Sequence, residues 1–185
     1  MTVNSNKYTE SGIEVDLSGF SHFRFEECRG YEEIKGLNIK EIDFGWWNAG
    51  ENCLYLLELK DYSFVTNHLP KEKSGELIEN LLKKSQDVIF MLSATWLKNG
   101  GSENIKKCLP REAQEKCKIK IFHLINCRMT FETHLLGLNT VLSSKFRGYQ
   151  KLFENILTFR IISARQAEKI FIDPNTRKPF VTKSS

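Results

Sequence analysis

Glu58 and Lys60 stand two apart near the end of Cys53-Leu54-Tyr55-Leu56-Leu57-Glu58-Leu59-Lys60, a run that is otherwise apolar. Side chains alternate along a strand, so this carboxylate and this ammonium share one face. Burying the two costs desolvation that their mutual pairing repays poorly, which sets them apart from ordinary strand residues. Asp43 lies fifteen residues before Glu58, and a hairpin turning at Asn48-Ala49-Gly50 brings it alongside. Two carboxylates and a lysine then converge, a set suited to phosphodiester hydrolysis. Carboxylates hold a hard cation such as magnesium, which activates a water and neutralises phosphate charge. The lysine orients that water or stabilises charge developing on the phosphoryl oxygens. The plainer reading of the same residues is a solvated strand end with a salt bridge worth little.

Ile42-Asp43, fourteen intervening residues and Glu58-Leu59-Lys60 resemble the PD-(D/E)xK motif of the restriction-endonuclease-like nuclease superfamily, over roughly residues 20 to 127. The resemblance implies an α/β fold with a restriction-endonuclease-like core, a mixed central β-sheet flanked by helices. It implies Asp43 as the first metal-binding aspartate, Glu58 as the second acidic ligand, Leu59 as a backbone carbonyl ligand and Lys60 as the catalytic lysine. The cofactor it implies is Mg2+ or Mn2+, and the partner is nucleic acid, DNA first. Ile42 departs from the proline often found there, a residue that shapes the turn and binds no metal. Gln86-Asp87-Val88-Ile89-Phe90 is similar to the QxxxY motif of the exonuclease-type branch, with Phe for Tyr, and gives Gln86 a place near the site or a DNA phosphate. The acidic residue that some members supply upstream would be Glu26, with Glu27 and Glu41 as rivals.

Lys83 and Lys84, with Lys71, Lys73, Lys106, Lys107 and Arg111, flank the candidate site in sequence and are candidate phosphate contacts. Lysines on loops and helix faces otherwise serve solubility. His123, inside an apolar run, reads as a core or edge histidine rather than a metal ligand, and the adjacent Trp46 and Trp47 read as packing one on each face of a strand. The competing function is a non-catalytic nuclease-fold protein that binds nucleic acid or another protein, because a fold does not fix an activity. A homodimer is compatible with either.

Positioning these residues requires a strand through Phe23 and Phe25, a strand from Ile39 into Trp46-Trp47, and a buried strand from Cys53 to Lys60. Leu77, Ile78, Leu81, Leu82, Val88, Ile89, Leu92 and Trp96 then recur at spacings of three and four, the longest helix signal, with Ser74 as its cap and Lys98-Asn99-Gly100 as its stop. Lys118 to Cys127 reads as a further buried strand, so strand, helix and strand form a crossover with parallel strands. A helix is expected around Leu135 to Ser144, an apolar stretch from Leu157 to Ile162 and a short amphipathic piece from Ala164 to Phe171.

The 185 residues suit one domain, with 1–12 and 178–185 expected as peripheral tails. With 41% hydrophobic and 27% charged residues, the composition excludes disorder and collagen-like repeats. The formal charge of +4 permits an anionic partner without demonstrating one. No apolar run approaches the roughly 20 residues of a membrane span. Five cysteines, an odd count with no CxxC pair, and no visible secretory signal lead to the expectation of reduced thiols in a cytoplasmic protein.

Overall fold

Residues 53–59 are buried without interruption, because their strand is paired on both edges and covered on both faces, the environment a continuous apolar run predicts. In the computed structural model, which describes residues 6–97, 102–154 and 156–184, this strand is the middle of a five-stranded sheet. In chain order the elements are β1 (Lys7–Glu10), β2 (Ile13–Asp16), β3 (His22–Phe23), α1 (Arg29–Glu32), β4 (Phe44–Asn48), β5 (Cys53–Asp61), α2 (Lys71–Trp96), α3 (Glu103–Lys106), β6 (Lys118–Asn126), α4 (Glu132–Leu152), β7 (Leu157–Ser163), α5 (Ala164–Ile170) and β8 (Val181–Lys183). The central sheet runs β3-β4-β5-β6-β7. β4 is antiparallel to both β3 and β5, whereas β5, β6 and β7 are parallel. The protein is thus mixed α/β, with a mixed central sheet flanked by helices, and α2 and α4 serve as the crossovers that parallel neighbours require.

Each face of the sheet has its own core. On one, Leu54, Leu56, Ile119, Ile121 and Phe159 pack against Leu77, Leu81, Val88 and Leu92 of α2 and against Leu135, Leu142 and Phe146 of α4. On the other, Phe44, Trp46, Tyr55, Leu57 and Phe122 pack against Ile13, Val15, Val181 and the α5 residues Ala164 and Ala167. Trp46 and Trp47 fall in opposite cores, as their adjacency on a strand predicts.

Several elements differ from the sequence expectation. The first twelve residues and the last eight are not tails where they are described: β1 and β2 form a hairpin, and β8 pairs with β2 to complete a second, three-stranded sheet. The hairpin turns at Ser11-Gly12, both at positive φ (54° and 71°), with Glu10 opposite Ile13. That is the geometry of a two-residue loop, in which glycine meets no Cβ penalty. No strand runs from Ile39; β4 begins at Phe44, where its pairing with Leu57 of β5 starts, and the Lys40 N–H instead donates to Asp87 Oδ2 (2.9 Å). Likewise Phe25 leaves the strand for a single helical turn.

α2 starts at Lys71 behind Pro70, and Ser74 lies inside its first turn, donating through Oγ to Leu69 O (3.3 Å). The expected stop at Lys98-Asn99-Gly100 lies outside the described residues. α4 runs beyond Leu135–Ser144 at both ends; its buried stripe of Leu135, Leu138, Leu142 and Phe146 is obscured in sequence by the exposed Leu136 and Val141. α5 carries a capping box, in which the Gln166 N–H donates to Ser163 Oγ and the Ser163 N–H donates to Gln166 Oε1.

The cysteine expectation is also corrected. Cys28 and Cys108 form a disulfide with their Cα atoms 5.7 Å apart, and Cys53, Cys117 and Cys127 remain as thiols. The pairing follows from α1 lying directly on α3. A Cβ on Gly30 would sit 2.3 Å from Ile105 N, so only glycine permits this approach. Eighty residues separate the two cysteines, a distance at which spacing carries no pairing signal. Among the described residues no helix is long and apolar enough to cross a membrane.

Candidate active site

The pairing of Phe44 with Leu57 ends the β4–β5 ladder one residue short of Asp43 and Glu58. Past that end, the Leu59 N–H has no β4 carbonyl to meet and donates to Asp43 Oδ2 at 2.6 Å. The Asp43 carboxylate is therefore fixed by the backbone of the very strand that carries Glu58 and Lys60. Glu58 has no exposed surface and stands in register with His123 of β6. Its Oε1 lies 2.7 Å from Lys60 Nζ and 2.7 Å from Lys84 Nζ, as ion pairs outside hydrogen-bond geometry. Its Oε2 accepts a hydrogen bond from Lys84 Nζ at 2.8 Å. Lys84 also reaches Asp43 Oδ1, at 3.7 Å. The structure thus brings Asp43, Glu58, Lys60 and Lys84 together at the end of β5, under the α2 helix.

Electrostatics follows burial. Loss of water pushes the Glu58 carboxyl up to about 7, the negative charge of Asp43 adds to the shift, and Lys84 and Lys60 oppose it. For Lys84, burial alone would lower the ammonium pKa, but Glu58 and Asp43 outweigh it and hold the value above the ordinary lysine range. Beside this group His123 is fully buried, and its pKa is pushed down to about 3, by burial first and then by the charges of Lys84 and Lys60. The Ser85 hydroxyl donates to Leu81 O (2.9 Å), so in its 2.9 Å contact with His123 Nε2 it must accept. The neutral ring therefore carries its proton on Nε2, and Nδ1 is a buried acceptor with no partner among the described residues.

Among the described residues, Lys83, Gln86, Glu26, Glu27 and Glu41 are neither hydrogen-bonded nor ion-paired to this cluster. Lys83 pairs with Asp87 (2.6 Å) one turn along α2. Gln86 is half-buried and two positions beyond Lys84, hence about 200° around the helix from it. Glu26 and Glu27 pair with Arg24 at 2.5 and 3.6 Å. Glu41 accepts from the Tyr31 hydroxyl, although its charge is felt at Lys84.

Two roles escaped the sequence. Lys84 was a candidate for phosphate contact, yet it is the residue that joins the two carboxylates. Glu10 falls in the segment expected as a tail, yet it is close enough to Asp43 and Lys84 for both charges to act on it; burial first and then Asp43 raise its pKa. The signal for Glu10 was present in Ile13-Glu14-Val15-Asp16, a clean alternation behind a Ser-Gly turn.

Among the described residues no three His, Cys, Asp or Glu side chains converge as a metal site. A divalent cation here would depend on Asp43, Glu58, the Leu59 carbonyl and water, a hard oxygen set that suits magnesium or manganese. The fit is supported by Lys84, whose ammonium the two carboxylates already hold as a positive charge between them. Compared with family models, curated proteins and solved structures, the chain matches none.

Proposed function

We propose that this protein is a metal-dependent nuclease with a restriction-endonuclease-like core, hydrolysing phosphodiester bonds in DNA. The observation that carries the reading is a carboxylate with no exposed surface, Glu58, held against a second carboxylate and two ammonium groups at a strand end. Stability does not call for such a group, since apolar residues of similar volume commonly serve as well or better. Buried, perturbed charge of this kind concentrates where chemistry needs it. Magnesium or manganese, held by Asp43, Glu58 and the Leu59 carbonyl, would activate water and neutralise phosphate charge. Lys60, with 28% of its side chain exposed, is the member of the cluster that faces outward to meet a phosphate. Its ammonium stabilises charge that develops mainly in the transition state.

A second reading is a non-catalytic nuclease-fold protein that binds nucleic acid or another protein. It is favoured by one feature: Lys84 pairs with both carboxylate oxygens of Glu58. Cleavage decides between them. With magnesium and with manganese, the wild type should degrade labelled DNA, and Lys60→Ala should slow the reaction by on the order of 10²–10³, far more than it weakens binding. Binding without cleavage of any DNA or RNA gives the second reading. A cytoplasmic location is proposed against the Cys28–Cys108 bond of this structure, and alkylating the thiols in fresh cell lysate tests it: five free thiols support that compartment and three count against it, because a disulfide persists poorly there.

A further inference from the structure

Beside the cluster, a cleft of about 350 Å³ is lined by Lys60, Tyr62, Phe64, Lys73, Glu76 and Asn80. Phe64 is 71% exposed at this cleft. It is the outer ring of a column: Phe64 stacks on Tyr62 (centroids 5.8 Å, planes 23° apart), and Tyr62 stacks on the buried Phe131 (6.3 Å, 10°). The backbone holding the column is tied down. The Tyr62 N–H donates to Asn126 O (2.8 Å), the Val65 N–H to Tyr62 O (3.0 Å), and Arg128 Nε to Ser63 O (2.9 Å). The backbone that carries the exposed ring is therefore anchored, four residues from Lys60.

Resting on the nuclease reading of the cluster, we infer that Phe64 is a stacking platform for an unpaired base, so that the substrate is single-stranded nucleic acid. An aromatic face beside a cationic groove is the arrangement that engages single strands: the base stacks while lysines track the backbone. Here Lys60 and Lys73 outnumber the one carboxylate of the cleft, Glu76. A base inside a duplex is already stacked on both faces and has no face to give Phe64.

Binding in EDTA, where no metal-dependent cleavage occurs, tests this independently of catalysis. Fluorescence anisotropy would compare a labelled 20-nucleotide single strand, its blunt duplex and the same strand with abasic sites, with thermal melts confirming that each variant folds. Phe64→Ala should weaken single-strand binding about tenfold, and Phe64→Trp should restore it. Removing the bases should weaken the wild type by a similar factor and leave Phe64→Ala unaffected. Equal single-strand affinity of wild type and Phe64→Ala, or tighter binding of duplex with the same dependence on Phe64, overturns the inference. Phe64-dependent binding by a protein that never cleaves would sustain it while ending the nuclease reading.

Discussion

Lys84 and Glu58 meet at 2.8 Å although one lies on a helix and the other, fully buried, on a strand. The ammonium only partly replaces the water Glu58 has lost, since the carboxyl still lies above its ordinary value, and it is the charge that a divalent cation would have to displace or share. Lys84→Met should therefore strip a buried carboxylate of its nearest partner and lower stability by about 3–5 kcal/mol. Magnesium should recover more stability in this variant than it adds to the wild type, because the cation enters the place the ammonium leaves. Thermal melts of both proteins with and without magnesium check this. Equal melting temperatures in its absence would show that Lys84 carries no such load.

The pH dependence of stability is set by two opposed groups. Glu58 has a folded pKa of about 7 against an ordinary 4.5, through burial first and then Asp43. The folded chain keeps a proton that the unfolded chain has lost, and stability falls as pH rises through that window. His123 has a folded pKa of about 3 against 6.5, through burial and then the two lysines. Its unfolded form takes up a proton first, so stability falls as pH drops from 6.5 toward 3. Between pH 4.5 and 6.5 the two slopes oppose, and the metal-free wild type should change little from them. Glu58→Gln removes one slope, and its stability should rise across this interval by on the order of 2–3 kcal/mol relative to the wild type. Urea midpoints in EDTA at the two pH values read the difference; parallel behaviour of the two proteins would contradict the assignment.

The Cys28–Cys108 bond predicts a thiol count. Unfolded, unreduced protein should titrate three thiols rather than the five in the sequence. Reduction, or Cys28→Ala, should lower stability by about 2–4 kcal/mol. A titration of five thiols together with an unchanged unfolding midpoint after reductant would rule the bond out.

How legible the molecule was depended on which interactions are local. β5 and β6 could be read because burial on both faces writes itself as an apolar run, and α2 because one buried stripe runs from Leu77 to Thr95. Asp43 and Glu58 could be brought together by counting across a single hairpin. Lys84 could not be placed against them, since that contact needs the packing angle of α2 on the sheet, which no periodicity encodes. The segment from Ile39 looked like a strand by alternation alone, but a strand needs a partner, and β3 is two residues long. The β1–β2 hairpin was readable in its Ser-Gly turn and alternation; what hid it was that its other neighbour, β8, comes from the far end of the chain.

That last pairing orders events on the ribosome. β2 has β1 on one edge and waits for β8 on the other, and at about 5–20 residues per second β8 follows it by roughly ten to thirty seconds. In the last part of that interval, once β6 has been made, β5, α2 and β6 can assemble while the edge of β2 still lies open and Val15 lacks Val181 beside it. The nascent chain thus carries its charged cluster before it has the sheet that covers Trp46, and an interruption of synthesis before Val181 leaves an adhesive strand edge rather than a slightly shortened protein.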